Sequence, residues 1–191
     1  MQNIVRTAGL AVLVLVSLLA AGCAGPAPNY APSIDNVEAL KKSGGESARI
    51  GTFTVDANLP GAKSIGLRAN TMVSPVGSHF GDYLGFALRQ DLELARLYNA
   101  QSGIEISGAL LKNLVDANGF SIGNGQIEAR FVVKRAGQVR YDKVRGVTHQ
   151  WESSFAGAVA IPQASSNYPV MVQKLIGSLV SDPDFVNSLR N

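Results

Sequence analysis

The chain is short of reactive side chains. Among 191 residues there are one cysteine and two histidines. A single cysteine excludes an intramolecular disulfide framework and a cysteine-based zinc site. Two histidines leave little material for a histidine metal centre, so no cofactor is expected. Charge is also scarce, at 16% of residues against roughly 25% in an ordinary soluble domain. Seventeen basic residues stand against 14 acidic ones, a net +3, which is too mild to argue for a nucleic-acid partner. The spelling Gly-x-Ser-x-Gly occurs once, at Gly119–Gly123, but it lies between two strand patterns and not in the strand-then-helix setting of a nucleophile elbow. The glycine-rich run Gly119–Gly125 lacks the Lys and Ser/Thr ending of a phosphate loop and reads as a connection. These absences lead to the expectation of a protein that is not an enzyme.

Long apolar runs are missing as well. The most extended one, Ala8 to Ala21, covers 14 residues. As a helix it would rise about 21 Å, at about 1.5 Å per residue, against a hydrocarbon core of about 30 Å. Arg6 precedes it and small residues follow, which is the layout of a secretory signal peptide. Leu19-Ala20-Ala21-Gly22-Cys23 then resembles the lipobox of bacterial lipoproteins, with Ala20 where that family usually has leucine. The resemblance implies cleavage before Cys23, a diacylglyceryl group on its thiol and an acyl chain, such as palmitate, on the new amino group. Each buried CH₂ contributes about 0.8 kcal/mol, and more than one chain is needed for stable anchoring. Ala24, where an inner-membrane retention signal would have aspartate, implies an outer-membrane lipoprotein with its body facing the periplasm.

Three regions are expected: a signal peptide over 1–22, a lipidated cysteine with a tether over 23–47, and a periplasmic domain over 48–191. Gly25, Pro26, Pro28 and Pro32 favour an extended, unordered stretch. If residues 24–47 were all flexible, their root-mean-square reach would be about 27 Å. Within them Ser33 to Lys42 has the pattern of a short helix, with Ile34, Val37 and Leu40 on one face. Such a helix is marginal alone, so it docks on the body or meets a partner.

In the body, Arg49–Val55 reads as a strand and Ser64–Arg68 as a shorter one. Ser78 to Tyr98 changes to helical spacing, with Ser78 as the expected N-cap. Gly77, Gly81 and Gly85 form a stripe that fits close approach to the domain's own sheet or a seam for a second chain. Strands follow at Ile104–Leu110 and Ile127–Val133, then a turn at Ala136-Gly137 and a return strand through Val139, Tyr141, Val147, His149 and Trp151. Lys143 and Arg145 interrupt the apolar face of that strand, which calls for a bulge near Gly146 or an edge position. A second helix is expected from about Asn167, with Pro169 in its first turn, and Asp182-Pro183 restarts a short helical turn. The fold class is α+β: a two-layer sandwich, an antiparallel β-meander covered by two amphipathic helices. Lipobox, element order and the C-terminal Asp182-Pro183-Asp184-Phe185 resemble small Gram-negative outer-membrane lipoproteins of the YajG type and, more loosely, the LptE layout. That resemblance implies accessory or assembly roles in the envelope.

Candidate sites are few. His79 with Asp82 three residues on fits a base or two metal ligands, or simply a helix-start histidine. His149 fits a half-buried packing residue, or a ligand or pH switch. Between Gln126 and Gly146 lie Arg130, Lys134, Arg135, Arg140, Lys143 and Arg145, against Glu128 and Asp142. This cluster either blunts a solvated edge strand or contacts an anionic partner: lipid phosphates, acidic glycans or an acidic protein patch. The leading expectation is a binding or assembly factor that holds the membrane by its lipid and another envelope protein by a sheet edge or hairpin. The alternative is a binding module for an amphipathic or anionic envelope molecule such as lipopolysaccharide, which requires an apolar cavity of several hundred Å³ between helices and sheet.

Overall fold

The structure is a computed structural model and describes residues 24–190. The signal-like segment, Cys23 and Asn191 lie outside the described residues. The elements in chain order are β1 (Ala24–Pro26), α1 (Ile34–Lys42), β2 (Arg49–Val55), β3 (Ser64–Leu67), β4 (Asn70–Val73), α2 (Phe80–Leu94), β5 (Ile104–Asp116), β6 (Ile122–Arg135), β7 (Gln138–Glu152), α3 (Gly157–Val180) and α4 (Pro183–Ser188). The main sheet has the order β2-β5-β6-β7, and a small second sheet has the order β1-β4-β3. The α+β sandwich is therefore present, with the antiparallel meander β5-β6-β7 at its centre. Two features go beyond the sequence pattern. Strand β2 lies parallel to β5, joined to it by a crossover that contains α2. Strand β1 lies parallel to β4.

Period-two alternation builds the inner face of the sheet. Ile127, Ala129, Phe131 and Val133 of β6 are buried, as are Ile104, Ile106 and Leu110 of β5. A register shift between Leu110 and Lys112 then puts Asn113 on the inner face in place of Lys112. Helix α2 covers this surface with Leu84, Ala87, Leu88 and Leu92, and α3 with Val172, Leu175, Ile176 and Leu179, all buried. Each buried Leu, Ile or Val among them contributes about 1.5–3 kcal/mol. The β6–β7 hairpin turns at Ala136 (φ 48°) and Gly137 (φ 83°), the two positive values that match the right-handed twist of paired strands. The register shift in this hairpin falls between Val133 and Lys134, at the turn end and not near Gly146.

Of the glycine stripe, Gly81 and Gly85 pack against the domain's own sheet, whereas Gly77 (φ 63°) precedes the helix and sits against Asp82. A Cβ on Gly85 would lie 2.9 Å from Cδ2 of Phe53, and one on Gly81 3.0 Å from the Phe53 carbonyl. The cost of glycine in a helix, about 1 kcal/mol, is offset by the close seating of α2 on β2. The N-cap of α2 is His79 and not Ser78. His79 Nδ1 accepts the Asp82 N–H at 3.1 Å, and Asp82 Oδ2 accepts the His79 N–H at 3.3 Å, a reciprocal capping box.

Helix α3 begins ten residues before the expected Asn167, and both Pro162 and Pro169 lie inside it. Pro169 is thus mid-helix and not in a first turn. Ala160 and Ala164 extend the buried face toward Tyr168, and this packing offsets the hydrogen bonds the prolines remove.

The expected tether is also corrected. Residues 24–47 do not extend from the body; they pack on it. Ala27 donates to the Val73 carbonyl at 2.8 Å, and Ala27 and Tyr30 are buried. The Tyr83 hydroxyl donates to the Pro28 carbonyl at 2.9 Å, and Gln173 Nε2 to the Ala31 carbonyl at 2.8 Å. A proline-rich stretch has few N–H groups to satisfy, so side chains from α2 and α3 suffice to pin it through its carbonyls. Helix α1 docks between α2 and α3 through Val37 and Leu40.

Candidate functional site

The basic residues of the β6–β7 hairpin separate onto different surfaces. Arg130 is on the outer face, where its guanidinium forks onto the Asp142 carboxylate, with Nε 2.6 Å from Oδ1. That pair holds Asp142 below the usual carboxylate range, the Arg130 hydrogen bond being the main cause. Arg135, beside the hairpin turn, reaches Glu46 Oε1 at 3.1 Å and the Arg190 carbonyl at 3.0 Å. It ties the hairpin to the N-terminal segment and to the chain's last turn.

Lys143 and Arg145 are on the helix-facing side of β7. The alternation that they interrupt is real, and its purpose is Asp182, at the α3–α4 junction. Asp182 Oδ2 accepts from Tyr141 Oη at 3.1 Å, from Lys143 Nζ at 3.3 Å and from Arg145 Nη1 at 3.4 Å. Its Oδ1 accepts the Asp184 N–H at 2.9 Å and so caps α4. Lys143 Nζ also lies 2.6 Å from Asp184 Oδ2. Burial pushes the Asp182 carboxyl up, but the Asp184 N–H, Tyr141 and Lys143 outweigh it and hold the group below its ordinary range. Tyr141 is pushed up, by burial first and by the bond to Asp182 second. Four of the six cations thus have carboxylate partners. Lys134 and Arg140 are exposed, without an ion pair among the described residues.

The two histidines have structural partners. His79 caps α2, as described. His149 is 8% exposed; Lys174 Nζ lies 2.8 Å from its Nδ1 and Asn167 Oδ1 2.9 Å from its Nε2. An ammonium only donates, so Nδ1 accepts and Nε2 carries the proton. Among the described residues no group of three or more His, Cys, Asp or Glu is placed to hold a metal ion. Gly123 and Gly125 of the glycine-rich run belong to β6 and lie beneath Trp151 and Met171, where any side chain would collide. Cys23 lies outside the described residues.

Between sheet and helices the interior is filled: Phe53, Leu88, Ile106, Phe131, Leu175 and Ile176 are buried there. A groove of about 370 Å³ lies at the periphery, between the β2 edge and α2, with Arg89 and Tyr98 on its rim. Sequence reasoning missed two polar nodes. In one, Tyr30 Oη (2.9 Å) and Asn36 Nδ2 (3.2 Å) donate to the buried Asp91. In the other, Arg68, in the β3–β4 turn at φ 56°, donates to the carbonyls of Ala117, Ser154 and Phe155 at 2.7–2.8 Å and of Gly119 at 3.3 Å. Neither carries a local motif. A lone Asp on an apolar helix face at Asp91 was the signal available for the first.

No family model matches the chain, and no curated protein matches it. Solved structures do resemble it. Protein XCC0632 from Xanthomonas campestris, of the DUF330 family, shares its fold with a TM-score of 0.58 at 12% identity, over 86% of this chain and 96% of that one. A minor lipoprotein from Acinetobacter baumannii gives a TM-score of 0.42 at 10% identity, over 74% of this chain and 93% of that one. Hypothetical protein CT253 from Chlamydia trachomatis gives 0.45 at 10% identity, over 74% and 98%. The first of these is a likeness of fold. The YajG-type resemblance rests on the sequence: the lipobox, the element order and Asp182-Pro183-Asp184-Phe185.

Proposed function

We propose that the chain is a lipid-anchored accessory protein of a Gram-negative outer membrane. It faces the periplasm, performs no catalysis and binds or assembles another envelope protein through the outer edge of β7. The observation that supports this reading is strand β7. It runs for 15 residues at the end of the sheet order, paired on one side to β6. Such an edge is a template for a strand from another chain. The basic hairpin face is a weaker candidate surface, because four of its cations already have carboxylates. The filled interior likewise disfavours a buried amphipathic ligand. None of the described helices is long and apolar enough to cross a membrane, so in this reading the lipid on Cys23 is the anchor. The test is site-specific photocrosslinking in intact envelopes from exposed Val144 and Thr148 of β7, with exposed Leu94 of α2 as control. A defined protein adduct from the β7 positions, absent at Leu94, is expected. Equal or absent adducts would overturn the edge as the binding surface.

A further inference from the structure

Phe120 and Phe155 are 71% and 75% exposed. They stack on each other with centroids 5.4 Å apart and planes 7° from parallel. Single exposed apolar residues are ordinary, whereas a paired aromatic surface marks contact with something apolar. The pair joins the β5–β6 turn to the β7–α3 connection, and Arg68 clamps both loops through four carbonyls. Val159, four residues beyond Phe155 in the first turn of α3, is also exposed.

Two further observations identify what covers the patch. The first is charge: no charged residue occurs from Ala117 to Ile127 or from Ser153 to Gln173; Asp116 and Glu152 border these segments, and the Arg68 charge is held by carbonyls. The basic hairpin is at the other end of β6, about 40 Å away for 14 residues. The second is where the described chain begins. Ala24 pairs with Thr71 of β4, parallel to it, so the chain enters beside the β3–β4 turn that carries Arg68. Consecutive Cα atoms are about 3.8 Å apart. A lipid on Cys23 therefore leaves no tether, and the surface around Ala24 must face the bilayer.

We propose that Phe120 and Phe155 form a membrane-seating face: they insert into the phospholipid interface beside the lipidated Cys23 and fix the body's orientation, with the basic hairpin pointing into the periplasm. This rests on the assignment of lipid to Cys23. The fold makes the lipid and the aromatic pair two signals on one surface, the arrangement that stable peripheral binding needs.

The test uses the full chain produced in a Gram-negative host and reconstituted in phosphatidylethanolamine–phosphatidylglycerol vesicles. Nitroxides are placed through Phe120→Cys, Phe155→Cys, Val159→Cys and, as the distal control, Val139→Cys. Acylated Cys23 does not react with the label. Collision with oxygen and with a water-soluble nickel complex is then measured at each site. The expected result is a several-fold higher oxygen-to-nickel ratio at 120 and 155 than at 139. A ratio at 120 and 155 equal to that at 139, with lipid on Cys23 confirmed by mass spectrometry, overturns the seating face and leaves the anchor intact. Exclusion of both reagents at 120 and 155 means a protein interface, such as a second copy, and also overturns it. If mass spectrometry finds a bare Cys23, the anchor fails; lipid-like ratios at 120 and 155 would still uphold the face, and water-like ratios would end it.

Discussion

Asp91→Asn is expected to remove one loss of stability that the protein suffers as pH rises. Asp91 is fully buried on α2. Its Oδ2 accepts from Tyr30 and Asn36, and the Asn36 amide also donates to the Gln173 carbonyl at 2.9 Å. The node therefore joins the N-terminal segment and α1 to α2 and α3. Burial raises the Asp91 carboxyl from 3.8 to about 6, against Tyr30, Asn36 and the Ser33 backbone N–H, which favour its charged form. A group raised in the folded state contributes stability that is complete below its unfolded value and is lost as pH rises through its folded one. The window here is pH 4 to about 6, and a displacement of that size corresponds to about 3 kcal/mol. Asparagine keeps an acceptor for Tyr30 and Asn36 but does not ionise. Urea unfolding of both proteins between pH 4 and 7.5 isolates the effect, because every other carboxylate cancels in the difference. The variant should gain about 3 kcal/mol on the wild type across that range. Parallel curves would refute the assignment of a costly buried charge at this node.

Three other substitutions test the packing and the polar contacts. Gly85→Val should destabilise the fold by about 1–3 kcal/mol, read as a lower urea midpoint, because a Cβ there meets the Phe53 ring. Asp182→Ala should cost about 3 kcal/mol or more at neutral pH, since it removes the α4 cap and leaves Lys143, Arg145 and Tyr141 without their shared acceptor. The loss should shrink as pH falls below about 4, the unfolded carboxyl's range, and on through the lower folded value; a pH-independent loss would contradict the charge-based account. Phe131→Ala should cost about 3–5 kcal/mol, because the ring is buried and meets Phe53 edge-on at 6.1 Å.

The parts of the fold legible in the sequence are those fixed by local pattern. Alternation over Ile127–Val133, the Ala136-Gly137 turn and the 3.6-residue spacing of α2 each depend on neighbours a few positions away. Parallel pairing of β2 with β5 joins residues more than 50 positions apart, and no local signal encodes it. Composition misled at Ala24–Pro32: few apolar residues suggested a free tether, but Tyr30 and carbonyl hydrogen bonds hold the stretch. It misled again at the start of α3, where alanines give weak periodicity and two prolines mimic a boundary. The same division holds for the candidate sites. Lys143 and Arg145 were visible as a break in the pattern, but Asp182 is 37 or more positions away and gives that break its meaning only in three dimensions. His79 was visible beside Asp82, and its role as a helix cap follows from backbone geometry that the residue types alone do not specify.

The most direct measurement is the mass of the N-terminal peptide of the protein extracted from membranes of a Gram-negative host. The account predicts a chain that begins at Cys23 with diacylglyceryl on sulfur and an acyl group on nitrogen. A free thiol at that position, or a leader still attached, would contradict it.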